Sequence, residues 1–364
     1  MKQKALNIYV CSTVRHLLFS LLRADAHRDS QHHILFFADY QHTSLADWDL
    51  SHLPENIVVS ELSREKFCDY LYSSLRGKLC YFLAMRGPRC PKPLLQPLYA
   101  LLAESSPVLA SALVSGEISR LWLFNERNKM ARLLRLLIRH FSLIEDGASN
   151  YRLLVCPWWK QPVRVLYGLP PRCRVLGEEG CCDEIQVLHP EQLPAPVRHK
   201  GTCIDFLDSP AAAALVDRTF RARNAIPADT QQFIVATQPI GIPGASTADK
   251  QDIYQRIVSY LQAQGLPVLL KVHPAEDASD YDFLDSSVTR IPGKIPLEAM
   301  LLGNLQPPVI VSIFSAAGMG MERYCRRVKL YEDGANNALY AQTLKSWIAS
   351  PKKLDEVLQK KLPA

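Results

Sequence analysis

Leu143-Ile-Glu-Asp-Gly-Ala-Ser-Asn-Tyr151 runs two apolar residues straight into two adjacent carboxylates and a glycine. The apolar lead starts earlier, at Phe141-Ser-Leu-Ile144, a run of the right length for a buried strand. Adjacent carboxylates repel, so at least one needs water, a cation or a proton. A surface turn meets that need. So does a carboxylate at a strand's C-terminal end, where open α/β sheets keep their ligands. The choice depends on whether the flanking chain alternates strands and helices.

It does. Toward the N-terminus, residues 6–11 read as a strand, followed by Ser12-Thr13 and a helix over about 14–23. Residues 33–38 and 56–60 read as further strands. Residues 64–115 are largely helical, with breaks at Gly87-Pro88 and between Pro91 and Pro97. Residues 120–124 form the next strand, and 128–139 a basic helix that leads into 141–144. Residues 151–230 are less regular and rich in proline and cysteine. Alternation then resumes, with strands at 232–237, 267–272, 287–291, 308–312 and 328–331. Helices are expected at 248–264, from about Pro296 and from about Ser315, and two helical segments close the chain. This predicts an α/β protein of two Rossmann-like domains facing each other across a cleft. The expected divisions are an N-terminal domain over 1–200, a connection over 201–230, a C-terminal domain over 231–340 and closing helices over 341–364.

Composition fits this reading. With 364 residues the chain is long for one core, and 48% hydrophobic against 21% charged is ordinary for a globular protein. The net charge of +6 suits an anionic substrate or a membrane surface and does not call for nucleic acid. The charged start Met1-Lys-Gln-Lys runs into a strand without the long apolar stretch of an export leader, and no apolar run nears the ~20 residues of a membrane span. The ten cysteines include no CxxC pair, so reduced, mostly buried thiols are expected ahead of a zinc site at Cys173, Cys181 and Cys182.

Other strand ends carry chemistry-bearing residues. In Lys271-Val-His-Pro-Ala-Glu276, His273 follows a strand that Pro274 terminates. A histidine that simply caps the turn and one that faces a ligand are about equally supported. In Val309-Ile-Val-Ser-Ile-Phe-Ser-Ala-Ala-Gly318, Ser312 ends a strand, and Ser315 is expected to open a helix whose small residues let an anion approach. Glu298 lies in the first turn of another predicted helix, favourable there for dipole reasons and placed to accept from ribose hydroxyls. Thr237 begins a loop, Thr237-Gln-Pro-Ile-Gly241, at the same rim. GxGxxG and Walker motifs are absent, so the common dinucleotide and NTPase readings lose support.

In this order the stretches resemble the bacterial sialyltransferases of GT-B fold, the lipooligosaccharide sialyltransferases and capsular polysialyltransferases among them. The matching residues are Glu145-Asp146-Gly147, His273-Pro274, Ser312-Ile-Phe-Ser315 and Ile295-Pro-Leu-Glu298, with the Ser12-Thr13 turn similar to the family's start. The resemblance implies an inverting glycosyltransferase. It would move a nonulosonic acid, sialic acid first, from its CMP-activated form to a hydroxyl of a lipopolysaccharide, lipooligosaccharide or capsule glycan. CMP-Kdo or another CMP-nonulosonate is the alternative donor, and a non-catalytic glycan- or nucleotide-binding scaffold is the alternative class. By resemblance Asp146 is the general base, with Glu145 tuning or orienting it and raising its pKa by like charge. His273 would give a proton or hydrogen bond to the leaving phosphate, with Ser312 and Ser315 as donors beside it. Glu298 would hold the ribose, and Pro274, Thr237 and Lys271 would line the donor side. Ser12, Thr13 and Gly147 fall on the acceptor side. The scheme needs no cofactor and no metal.

The expected location is cytoplasmic, with a peripheral contact at the cytoplasmic face of the inner membrane. The basic helix over 128–139 is expected to be a core helix with a wet basic face rather than a membrane-lying one. The stretch Lys345-Ser-Trp-Ile-Ala-Ser-Pro-Lys-Lys353, with Lys360 and Lys361, is the better candidate for that contact because it combines Trp347 with lysines. A solvated helix face is an equally good reading of it.

Overall fold

The computed structural model describes residues 6–362, apart from 88, 167, 223–231, 240–245, 266, 303–306, 316 and 332–336. It divides into two compact units, Met1–Leu215 and Val216–Ala364.

The first unit begins with β1 (Leu6–Cys11), α1 (Val14–Ala26), β2 (Gln31–Phe37) and β3 (Ile57–Leu62). Four helices follow: α2 (Arg64–Tyr72), α3 (Leu75–Arg86), α4 (Gln96–Ser105) and α5 (Pro107–Ser115). Then come β4 (Ile118–Leu123), α6 (Lys129–Leu134) and β5 (Phe141–Ile144). The irregular stretch holds β6 (Leu154–Val155), α7 (Gln161–Leu166), β7 (Cys173–Arg174), β8 (Cys182–Val187) and β9 (Gly201–Cys203). Helix α8 (Pro210–Phe220) carries the division between the units.

The main sheet is ordered β3-β2-β1-β4-β5-β8-β9, and every pairing in it is parallel. Its direction of build reverses between β1 and β4, so the C-terminal ends of these strands flank the switch point where such sheets bind ligands. β5 is buried at all four positions, as expected for a strand covered on both faces.

The second unit has β10 (Phe233–Ala236), α9 (Thr247–Gln262), β11 (Val268–Lys271), β12 (Thr289–Ile291), α10 (Leu297–Leu302), β13 (Val309–Ser312) and β14 (Arg326–Lys329). Helices α11 (Asn337–Ala349) and α12 (Pro351–Lys361) follow. The all-parallel order is β12-β11-β10-β13-β14, with its own switch point between β10 and β13. Each unit has its own hydrophobic core.

Four sequence expectations are corrected. The basic helix over 128–139 is helical only at Lys129–Leu134, because tight turn bonds from Leu136 to Leu133 and from Leu137 to Leu134 replace the helical ladder. The helix expected from Ser315 is absent among the described residues, since Gly318 (φ 67) and Gly320 (φ 81) take left-handed conformations and the chain turns instead. The stretch expected to be irregular contains β8, an inner strand of the sheet. Trp347 is only 3% exposed and packs in the second core, so it cannot face a membrane. Among the described residues no helix is long and apolar enough to cross a membrane.

Candidate active site

At the end of β5 the two carboxylates have different surroundings. Glu145 is completely buried. Its Oε1 accepts from Arg15 Nη2 at 2.9 Å, and its Oε2 from the Leu188 backbone N–H at 2.9 Å and from the Tyr151 hydroxyl. Arg15 comes from α1 and Leu188 follows β8, so Glu145 ties three parts of the unit together. Glu145, expected to tune or orient Asp146, is thus paired with the Arg15 guanidinium.

Asp146 keeps 22% of its side chain exposed. Its Oδ1 lies 2.8 Å from His16 Nε2, and its Oδ2 accepts from Asn125 Nδ2 and Ser149 Oγ, both at 3.1 Å. Its backbone N–H donates to Asn150 Oδ1 at 2.8 Å. Burial pushes the Asp146 carboxyl up, but the hydrogen bond and charge of His16, with Asn125 and Ser149, outweigh it and hold the group below its ordinary value. The expected upward shift is thus reversed. Gly147 follows at φ 105, a conformation that only glycine takes without strain, which accounts for the glycine after the acid pair.

His16 is the residue that sequence reasoning missed. Thr13 caps α1 by accepting from the His16 N–H at 3.2 Å, and the His16 ring stacks on Phe124 at 4.0 Å between centroids. The Ser12 backbone N–H donates to His16 Nδ1 at 3.2 Å. With Nδ1 accepting, the ring's proton belongs on Nε2 and points at Asp146. Ser12 also accepts from Asn128 Nδ2 at 3.3 Å. Ser12, Thr13, Asp146 and Gly147 therefore converge at one rim, with His16 and Asn125 added. In the sequence His16 carries no mark beyond its place in the first turn of α1, four residues after Ser12.

The second unit has its own polar rim. The His273 N–H donates to Thr237 Oγ1 at 2.8 Å, and Thr237 Oγ1 donates to Glu276 Oε2 at 2.6 Å. Glu276, also unforeseen, accepts from the Tyr281 hydroxyl at 3.1 Å and pairs with Lys250. His273 Nδ1 accepts from the Ala275 N–H at 3.1 Å, which leaves the Nε2–H as the ring's donor. Burial lowers the His273 pKa, and Lys271 adds to this while Glu276 opposes it. Pro274 packs where a Cβ on Gly293 would lie 2.7 Å from its Cα, so the two turns approach each other only because residue 293 is glycine.

Lys271, expected on the donor side, is buried. Its Nζ turns inward to the carbonyls of Val272 at 2.8 Å and Pro292 at 3.1 Å, and burial lowers its pKa to about 8 while Glu298 opposes the shift. Glu298 is itself buried on α10. Ser312 is buried at the end of β13, and Ser315 Oγ accepts from the Ala317 N–H at 3.1 Å, a local turn in place of a helix cap. Gln238, beside Thr237, accepts from the Phe314 N–H at 2.9 Å and so joins the ends of β10 and β13. Ile240, Gly241 and Ala316 lie outside the described residues. Among the described residues no group of three or more His, Cys, Asp or Glu side chains is placed to hold a metal ion.

No protein-family model matches the sequence, and no curated protein matches it. Solved structures do. An α/β-galactoside α-2,3-sialyltransferase from Photobacterium phosphoreum is similar over 98% of this chain and 95% of its own, at 12% identity and a TM-score of 0.54. The fold is GT-B. A sialyltransferase from Photobacterium damsela aligns with 97% of this chain and 78% of its own, at 14% identity and a TM-score of 0.48. A UDP-glucose:anthocyanidin 3-O-glucosyltransferase in complex with UDP aligns with 100% and 91%, at 11% identity and a TM-score of 0.48.

Proposed function

We propose that this GT-B chain is an inverting glycosyltransferase that moves a nonulosonic acid, sialic acid first, from its CMP-activated donor to a hydroxyl of a bacterial surface glycan. The observation that carries the reading is Asp146. It is an ionised carboxylate at the switch-point rim of a parallel sheet, held by three side-chain donors and still partly open to solvent. A group so held is in place to accept the acceptor hydroxyl's proton while the new C–O bond forms at the anomeric carbon and CMP departs.

In this scheme His16 is a positioning residue. Its Nε2–H fixes the carboxylate and stabilises its ionised form. His273 offers the neutral Nε2–H as a hydrogen-bond donor to the departing phosphate rather than a full proton. The order of the acid pair, the His-Pro turn and the serine-bearing strand end supports the CMP-donor reading, and a sialyltransferase among the structures of like fold agrees with it. The chemistry uses no metal.

The test is CMP release by the purified protein, with CMP-Neu5Ac and CMP-Kdo in parallel and with or without EDTA. Release from one donor, unaffected by EDTA and lost in Asp146→Asn, is the expected result. No release from either donor, together with no thermal shift on adding CMP, would overturn the reading.

A further inference from the structure

The first unit contains a cavity of about 240 Å3 that the proposed chemistry does not use. Seven cationic side chains line it against three carboxylates, an excess of four positive charges. Two of the carboxylates are engaged: Glu178 with Arg164 at 2.7 Å, and Glu179 with the buried Arg135. The third, Glu126, is buried 3.7 Å from Arg127. Arg132 donates to the Met85 carbonyl at 2.8 Å, and Arg127 to that of Val175 at 2.9 Å. Among the described residues, Arg127 Nη1, Arg135 Nε and Arg174 Nε are buried donors with no hydrogen-bond partner. Arg135 is nine-tenths buried or more. Crowded cations with unused donors are costly unless an anion completes them. Guanidinium forks suit phosphate oxygens in particular.

A second observation indicates what bears the anion. The segment from Leu153 through α7 presents Leu153, Val155, Trp158, Trp159 and Leu166 to solvent, with Trp158 81% and Leu166 85% exposed. Contiguous exposed apolar side chains of this kind mark an interaction surface, and tryptophan with lysine suits a lipid–water boundary. Lys160 belongs to both features. It lines the cavity, and its Nζ lies 4.6 Å from the Trp159 ring centroid. The charge of the cavity complements an anionic headgroup, and the apolar segment beside it suits the acyl region.

We infer that the cavity binds the phosphate headgroup of an anionic lipid, with Arg127, Arg132, Lys160 and Arg174 as its ligands and the Trp158–Trp159 segment seated in the bilayer interface. This replaces the C-terminal stretch as the membrane contact and does not depend on the glycosyltransferase reading.

The experiment is binding by the full chain, in two arms. Inorganic pyrophosphate is titrated calorimetrically. Vesicles of phosphatidylcholine, with and without phosphatidic acid, are tested by co-sedimentation. The expected result is pyrophosphate binding that falls at least tenfold in Lys160→Glu/Arg174→Glu, and vesicle binding that needs phosphatidic acid and is lost in the same variant. Trp158→Ser/Trp159→Ser should lose the vesicles and keep pyrophosphate. Far-UV circular dichroism and a melting curve check that both variants fold. If either proves unfolded, Lys160→Gln alone and Trp158→Ser alone take their places. Absence of pyrophosphate binding, or binding that the charge reversals leave unchanged, overturns the anion site. Pyrophosphate binding without vesicle binding, or vesicle binding that ignores Trp158 and Trp159, overturns the lipid assignment.

Discussion

Glu145 and Asp146 are adjacent in sequence but do different work, and substitution should separate them. Glu145→Ala leaves the half-buried Arg15 and the Leu188 N–H without their acceptor and should cost about 1–3 kcal/mol in urea unfolding. CMP release per folded molecule should change little. Asp146→Asn keeps the shape and most of the hydrogen bonds but, in the proposed reading, loses the base. Turnover should fall about 10²–10⁴-fold with the melting temperature nearly unmoved. The pH profile follows from the same geometry. In the proposed reading Asp146 must be ionised to act, so activity is lost as pH falls through its pKa. The donors around it place that limb below the ordinary ~3.9 of an aspartate. His16→Ala removes the first of those donors, so the acid limb should move to higher pH as the rate falls. In the proposed reading His273 acts as a neutral donor with a lowered pKa, so the rate should not drop as pH rises through ~6.5. A drop there would mean that the imidazolium is required. The acid pair and the His-Pro turn were legible because they sit at strand ends in a regular pattern. His16 and Glu276 were not, because what distinguishes them is a partner 130 residues away in one case and a turn-bridging hydroxyl in the other.

At the scale of elements, the sequence was clearest where strands are buried on both faces. β5 lies at the residues its apolar run indicates, and β1, β10 and β13 fall within one or two residues of expectation. β8 was hidden because Asp183 and Glu184 interrupt its apolar positions and cysteines and prolines surround it. The turn after β13 was misread because small residues after a serine suit a helix start as well as a turn, and the two left-handed glycines decide for the turn. β2 carries a consequence for acid stability. His33 is buried, its Nε2 lies 2.8 Å from Ser60 Oγ, and burial pushes its pKa down to about 4. The unfolded chain takes up this proton from ~6.5 downward and the folded chain does not until about 4. The stability that neutral His33 contributes is therefore complete above ~6.5 and lost as pH falls toward 4. Unfolding free energies from urea titrations of the protein and of His33→Gln should diverge by about 2 kcal/mol between pH 7 and pH 5, with the native chain losing more.

At the scale of the molecule, the two units carry separate cores, over Ile8 to Val197 in one and Phe233 to Leu362 in the other. Calorimetry should therefore resolve two overlapping transitions or show a calorimetric enthalpy above the van't Hoff value. In the proposed reading CMP raises only the transition of the Val216–Ala364 unit, since a ligand stabilises the part that binds it. A rise confined to the other unit would relocate the nucleotide. Alternation of strands and helices made the doubled α/β plan legible. Function is less so, because one fold serves many chemistries and only the rim residues distinguish them.

The five tryptophans are distributed in a way that gives the chain its own optical probes. Trp48, Trp122 and Trp347 are buried, whereas Trp158 and Trp159 stand in solvent. Iodide should quench the exposed pair and leave a blue-shifted emission from the buried three. Trp347 is the one tryptophan of the Val216–Ala364 unit, so Trp347→Phe assigns that unit's share of the residual signal. The Trp158–Trp159 pair reports instead on whatever comes to cover β6 and α7.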